Sequence, residues 1–531
     1  MLGPVMKKSF HLVSVFLASA ALLPADWLTF DHDPQRTGWA WQESTLTPES
    51  VTNLELKWST QLDNAPLALD ALTAPLLARD VLTPSGLKSL VYVAGSSNRL
   101  FAIDVASGAI VWQRTLENFV KAKEDPFYLC PNAVNATPVI DRRQNMIFVL
   151  AYDGRLFGLD LGSGVVKFGP FQLVPPFAKA WSLNLSQGFV YTTTSQGCGG
   201  DRSGIYAIQV DQAGHHETYE TVVRQGFGAG MWSRGGTAIG TNGRLYVTTG
   251  DGAFNPAAGD YGSTFLAASM PELNIVDAFS PSNWSELNKR DLDLPSGGEL
   301  FFSYRDRNLI VGGGKEAVVY LLDADSLGSK DHRTPLYVSP RLGNEKRVLE
   351  EKGFWGSPAL WRDEHDQPWI YLPLWGEPSS EAMKLASSNG AALHGSILGF
   401  KVETDAVAKN PQLKLMWISP DINLPDAPAV ANGVVFVLAT GENPQQDKVI
   451  GKTNFKSKQD WKQNLLTTEE RGQGTHPAVL KALDAKTGKL LYSGQNAMKT
   501  WNHFGGLAID DGRVYAVDHS STLYCFGLKN K

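Results

Sequence analysis

The sequence predicts an all-β protein, an eight-bladed β-propeller built of four-stranded antiparallel blades. Three observations lead there. Short apolar strands separated by polar, glycine-bearing turns form a unit that recurs along the chain; the unit can be followed eight times; and the last copy lacks its outermost strand, while a spare strand precedes the first. The unit is clearest at Leu90–Leu116, where LVYVAG, LFAID and IVWQ are separated by GSSNR and VASGA. A single meander of this kind cannot bury both faces, so repeated copies must stack against one another.

Taken in order, the second strand of each unit reads LVYVAG at Leu90, MIFVLA at Met146, FVYTTT at Phe189, RLYVTT at Arg244, NLIVGG at Asn308, WIYLPL at Trp369, VVFVLA at Val434 and RVYAVD at Arg513. The third strands are LFAID, LFGLD, IYAIQ, FLAAS, VYLLD, ILGFK, LKALD and LYCFG. Three of them end in an Asp that opens a turn closed by Gly, at Asp104–Gly108, Asp160–Gly164 and Asp484–Gly488, where the carboxylate can cap turn amides. Fourth strands are expected at Ile110–Trp112, Val165–Phe168, Glu217–Thr221, Asn274–Phe279, Leu336–Ser339, Leu413–Ile418 and Leu490–Tyr492. After LYCFG only LKNK remains, so the eighth blade must borrow Leu54–Thr60, which closes the ring and removes open sheet edges.

Composition agrees with many short strands and tight turns. The 531 residues include 51 Gly, 29 Pro and 15 Trp, and 43% are hydrophobic, a glycine-rich balance that argues against a helical or disordered chain. Basic residues number 48 and acidic 54, interspersed, for a net charge of −6; no basic field exists to hold a polyanion, so nucleic acid is not an expected partner. Residues 1–25 combine Lys7 and Lys8 with an apolar stretch from Phe10 to Leu23, the pattern of a secretory signal, and the apolar stretch is shorter than the ~20 residues of a spanning helix. No other stretch could span a membrane. Residues 26–531 are then one domain, opened by an ordered, aromatic arm over 26–53. The expected location is periplasmic or secreted. Cys130, Cys198 and Cys525 are too few for a disulfide-built fold and leave at least one unpaired within the chain; the pairing is open, and no CxxCH exists for covalent haem.

In a four-stranded meander the loop between strands two and three shares a face with the link to the next blade. Those loops are long at Ser195–Gly204, Asp251–Thr264, Gly376–Ser396 and Glu442–Val479, which marks this face for binding. Trp232 in GMWSRGG, Arg202 in CGGDRSG, Asp251 in TTGDG and Lys315 in GGGKEAVVYLLD align with it. An indole can stack on a flat ring, and Arg and Lys can hold carboxylates or carbonyl oxygens, so the set suits a planar anionic cofactor. Equally, Trp232 suits blade packing, and Arg202 and Asp251 suit loop caps.

These residues resemble the pyrroloquinoline quinone (PQQ) propeller dehydrogenases, including the methanol and polyvinyl-alcohol types, over nearly the whole mature chain. AIDVASGAIVWQ and ALDAKTGKLLY are similar to that family's blade motif, whose Trp docks between neighbouring blades. The resemblance implies that Trp232 stacks under the quinone, that Lys315 contacts the quinone oxygens, that Arg202 follows the position of a metal-binding Glu, and that Asp251, where the family has Asn, keeps an oxygen ligand for Ca²⁺ and adds charge. Two positions depart. The SQGCGGDR stretch offers Gln196, Cys198 and Asp201 where the family carries its calcium-binding Glu, and SPSNWSEL puts Ser285 after Trp284 where the family has its catalytic Asp. A serine hydroxyl is no base near neutral pH. KRDLDLPSG resembles the Asp-Leu-Asp-Phe-Gly stretch of the polyvinyl-alcohol type, which makes Asp291 and Asp293 the candidates for the base; as isolated loop residues they read more readily as turn caps.

Two functions follow as expectations. One is a secreted PQQ- and Ca²⁺-dependent oxidoreductase acting on alcohols or sugars. The other is a propeller of the same repeat that binds a protein or glycan without redox chemistry, which the missing carboxylates favour. The joint presence of Trp232 and Lys315 favours the first.

Overall fold

The computed structural model describes residues 26–529 apart from 68, 123–125, 128, 212–215, 225–227, 345–351 and 450–457. The expected signal segment over residues 1–25 lies outside the described residues. Eight antiparallel blades are present. Blade 1 comprises Leu76–Thr83, Gly86–Gly95, Arg99–Asp104 and Ile110–Thr115. Blades 2 to 7 run over Val139–Gln172, Lys179–Val222, Ala238–Phe279, Glu299–Val338, Gly353–Ile418 and Ala429–Ser493. Blade 8 takes Ala508–Asp510, Arg513–Val517 and Thr522–Leu528 from the C-terminal end of the chain and Leu54–Gln61 from its N-terminal part. That last strand pairs antiparallel from Leu54 opposite Leu528 to Gln61 opposite Thr522, so the ring closes as the sequence required. Among the described residues no helix is long and apolar enough to cross a membrane.

Blades are joined through a repeated aromatic dock. Trp112 of blade 1 lies over Gly164 in the third turn of blade 2 and donates its indole N–H to Leu161 O at 2.8 Å. Trp417 of blade 6 does the same over Gly488, donating to Ala485 O at 3.1 Å, and Trp58 of the closing strand lies over Gly108, donating to Val105 O at 3.0 Å. The glycines have φ of +66°, +71° and +73°, and a Cβ would enter the indole ring in each case, so the turn residue and the docking Trp are one device. The preceding Asp caps the turn: Asp160 Oδ1 accepts from Ser163 N at 2.9 Å, Asp104 Oδ1 from Ala106 N at 2.9 Å and Asp484 Oδ1 from Thr487 N at 2.8 Å.

First strands of successive blades touch around the channel, and their channel-facing edges have no strand partner of their own. The N-terminal arm supplies one. Trp27 exchanges backbone hydrogen bonds with Leu77 of blade 1; Leu28 O accepts from Ile140 N of blade 2; and Thr29 Oγ1 donates to Leu183 O beside blade 3. Pro34 O, Gln35 O, Thr37 O and Gly38 O accept from Ile239, Phe301, Leu360 and Val430 of blades 4 to 7, at 2.7–3.0 Å, and Glu43 accepts from Gly512 N of blade 8. The arm thus bonds to every blade in order. Arg36, only 1% exposed, anchors it by donating to Thr237 O, Phe30 O, Leu183 O and Thr29 Oγ1.

Cys130, in the link from blade 1 to blade 2, is disulfide-bonded to Cys198 in the long loop of blade 3, and Cys525 is a buried free thiol. The open question of pairing is thereby answered.

Arg36→Met removes the donor from four buried oxygens, and should cost ~3–5 kcal/mol in urea unfolding. Trp417→Ala should cost a similar ~3–5 kcal/mol, whereas the half-buried Trp58→Ala should cost clearly less in the same assay.

Candidate functional site

Blades 4 and 5 and the link between them gather the candidate residues. Asp293 is the hub. Its backbone carbonyl accepts from Lys315 N at 3.0 Å, its Oδ2 accepts from Lys315 Nζ at 2.8 Å and its Oδ1 accepts from Asp251 N at 3.0 Å. Glycine permits this convergence: a Cβ at Gly250 would meet Asp293 Oδ1 at 2.6 Å, and one at Gly314 would meet Asp293 O at 2.2 Å. The Gly-Gly-Gly-Lys run that ends the second strand of blade 5 therefore lets the strand abut the 291–294 loop and delivers Lys315 into it.

Lys315 also pairs with Asp291 Oδ2 at 3.3 Å, and Asp291 takes a left-handed φ of +51°. Asp251, Asp291 and Asp293 can each bring one carboxylate oxygen within 4.8 Å of the others. Asp251 Oδ1 is buried and has no hydrogen-bond partner. Asn288, on the single helix of the link, Trp284–Lys289, fixes the backbone beside it: Asn288 Nδ2 donates to Gly252 O at 2.6 Å, and Asn288 Oδ1 accepts from Gly252 N and Ser263 Oγ. Ser285 is exposed on the same helix.

Electrostatics follow from three carboxylates around one ammonium. Burial, and then Asp293 and Asp291, push the Asp251 carboxyl up to about 8. Burial raises Asp291 to about 7 against the pull of Lys315, although 55% of its side chain is open to solvent, which tempers the effect relative to its buried neighbours. Burial alone would raise Asp293 as well, but Lys315 and hydrogen bonds outweigh it and hold this carboxylate below the ordinary range. Burial opposes the charge on Lys315, and the two carboxylates reverse that and raise it.

The Lys315 ammonium lies 5.2 Å from the Trp232 ring and 5.5 Å from the Trp355 ring. Trp232 is half-buried and tilts against Trp355 at 5.7 Å, which stacks on Trp375 at 4.8 Å and Phe504 at 6.1 Å. Beyond Phe504, Arg234 sits between Phe504 and Trp181, facing Asp70 at 3.8 Å. Glu442 shares a 2.7 Å hydrogen bond with His503 Nδ1 and lies 3.7 Å from Arg471; burial pushes the Glu442 carboxyl up to about 8 and the His503 imidazole well down. The site is an aromatic wall with an acidic cluster and Lys315 at one end and Arg234, facing Asp70, at the other.

Of the residues singled out from sequence, Trp232, Asp251, Asp291, Asp293 and Lys315 come together. Arg202 is exposed and takes no part in the bonds that join them. Asp201 is buried and accepts from Tyr206 OH at 2.9 Å, away from the three-carboxylate group. Sequence reasoning missed Asn288, Arg234, Trp355, Trp375 and Phe504. A signal for Trp355 existed: GFWGSP leads into blade 6 as GMWSRGG leads into blade 4.

Comparisons with known proteins place the fold. A PQQ-repeat family model described as outer membrane protein assembly factor BamB matches residues 37–213. The outer membrane protein assembly factor BamB of Yersinia pestis is 29% identical over 111 residues, 21% of this chain and a quarter (25%) of that protein's length. The family match falls on the first repeats and ends before Trp232. Among solved structures, a europium-containing methanol dehydrogenase superposes with a TM-score of 0.61 at 12% identity, covering 95% of this chain and 98% of its own. The quinohemoprotein alcohol dehydrogenase of Comamonas testosteroni gives 0.57 at 14% identity, covering 96% and 81%. At these identities the likeness is one of fold.

Replacing Asp251 by Asn tests the acidic cluster. A carboxyl whose folded pKa is raised loses stability as pH climbs from its ordinary value near 4 toward about 8. Without added cation, Asp251→Asn should therefore melt above the parent by more at pH 8.5 than at pH 5, while binding a hard cation at least about tenfold more weakly. A melting difference independent of pH would contradict the placement.

Proposed function

Because this chain is an eight-bladed propeller resembling the PQQ-type quinoprotein dehydrogenases, we propose that it is a quinoprotein oxidoreductase acting on an alcohol or sugar. One observation carries the reading: Trp232, Lys315, Asp251 and the neighbouring pair Asp291 and Asp293, from four stretches of the chain, meet at one place. A ligand site draws such residues together, and blade packing has no use for three carboxylates at one point.

The donor set fits a hard cation, since all three side chains offer oxygen and Asp251 Oδ1 is buried without a partner. Calcium is the expected ion, and the europium of the methanol dehydrogenase neighbour makes a trivalent ion the natural comparison. Trp232 offers a ring face and Lys315 a cation above it, which fits a flat, anionic quinone. When bound, PQQ supplies a two-electron acceptor for a hydride from the alcohol carbon, and the cation supplies Lewis acidity.

The chain's own residues would then divide the work. Asp291, with 55% of its side chain open to solvent, takes the hydroxyl proton and replaces the carboxylate that Ser285 cannot be. Asp293, held ionised by Lys315, positions that lysine and the Asp251 backbone. The Cys130–Cys198 disulfide accords with a periplasmic or secreted setting. The second reading, a protein- or glycan-binding propeller, rests on the BamB match over the repeats and on Ser285.

Mixing the protein with micromolar PQQ and Ca²⁺ or Eu³⁺ should quench tryptophan fluorescence and support dye reduction with an alcohol or aldose panel. Asp291→Asn should lose at least ~100-fold in kcat while still taking up PQQ, and Lys315→Ala should weaken PQQ uptake itself. Absence of uptake at micromolar PQQ would sink the quinone reading; uptake without turnover would support the binding propeller.

A further inference from the structure

Beside Lys315, on the blade 5 to blade 6 side, lies a recess that the acidic cluster does not use. It is lined by Arg290 and Leu292, which flank Asp291 in the chain, by Lys315 and Glu316, and by Arg341 and Lys352. The recess measures about 230 Å³ out to open solvent, and its closed part admits about one water-sized group. Gly353 creates the proximity: at φ +92° its missing Cβ would fall 2.4 Å from the Lys315 backbone, which seats Lys352 beside that residue.

Besides Lys315, which the acidic cluster answers, three cations face one carboxylate in this lining. Glu316 answers Arg341 at 3.3 Å and also accepts from Asn283. Among the described residues nothing answers the other two. Lys352 is only 9% exposed and its ammonium has no carboxylate or hydrogen-bond acceptor among the described residues, and Arg290, at the exposed mouth of the recess, has none either. Burial first, and then Arg290 and Arg341, lower the Lys352 pKa, as expected of cations that converge. A largely buried lysine without an anion is costly, and a bound oxyanion would relieve it with charge-assisted hydrogen bonds.

We propose that this recess holds the carboxylate or phosphate of an acidic substrate, a hydroxy acid or an acidic sugar, whose alcohol carbon then lies toward Asp291 and Lys315. The proposal deepens and rests on the oxidoreductase reading. It assigns Lys352 and Arg290 as the residues that select the substrate class, with Arg341 shared between the recess and Glu316. PQQ is itself a carboxylate, so the same chemistry could be met from the cofactor, and the experiment separates the two sources.

Calorimetric titration of the cofactor-free protein with gluconate, glycerate and inorganic phosphate is compared with glucose and glycerol. The acids should bind, and the neutral compounds should bind at least about tenfold more weakly; Lys352→Met and Arg290→Gln should each lower acid affinity by about tenfold. Ca²⁺ and Eu³⁺ affinity at the carboxylate cluster should change less than about twofold in both variants, which also shows that they are folded. Equal binding of acids and neutral compounds, or unchanged acid binding in both variants, would overturn the proposal. So would a loss of PQQ affinity in Lys352→Met with acid binding retained, which would give the recess to the cofactor. Should the parent take up no PQQ, the quinone reading fails, and the acid titration still decides the recess.

Discussion

Everything on the loop face depends on how the ring satisfies the inner edges of its blades. Eight first strands surround a closed channel, and each leaves one edge of N–H and C=O groups without a neighbouring strand; buried backbone groups of this kind must be paired. The arm over residues 27–43 pairs them, crossing the blades one after another and locking itself with Arg36. Combined with the borrowed strand Leu54–Gln61, the segment before blade 1 both lines the channel and closes the ring. Outer junctions are held differently, by Trp58, Trp112 and Trp417 over turn glycines. The result is a rigid frame on which long loops can hold charged groups close together.

That rigidity permits the acidic cluster. Three carboxylates and one ammonium leave an excess of two negative charges when all are ionised, and in an unbraced loop they would separate into water. Here Asp293 is held through both carboxylate oxygens and its backbone carbonyl, while Asn288 pins the turn after Asp251. Burial first, and then the neighbouring carboxylates, raise the Asp251 pKa, and burial raises that of Asp291 against the pull of Lys315. A cation would offset the excess negative charge. The same lysine that neutralises part of this charge faces Trp232 and Trp355, so the acidic end and the aromatic wall share Lys315.

Behind Lys315 the lining turns cationic, and across the wall Arg234 faces Asp70. Arg234 lies between Trp181 and Phe504, and Arg290, Arg341 and Lys352 line the recess. A ligand with one end bound to a cation at the acidic cluster and an anionic other end in the recess would be oriented by this arrangement, because either end in the wrong place meets like charge.

Alternation of short apolar strands with Gly-bearing turns determined the architecture from sequence alone: eight second strands, eight third strands and the borrowed closing strand were all legible, because strand period and turn chemistry are local. Trp232, Asp251 and Lys315 were legible as residue types at the ends of recognisable strands. Asp291 and Asp293 were not separable from turn caps, since nothing in KRDLDLPSG shows that Gly250 and Gly314 leave room for them. Arg202 read as a neighbour of the site and is exposed. The pairing of Cys130 with Cys198, the passage of the arm across all eight blades, and the meeting of Lys352 with Arg290 were decided only in three dimensions. Each joins residues tens to hundreds of positions apart, and the distance between them is set by ring closure, a property of the whole chain.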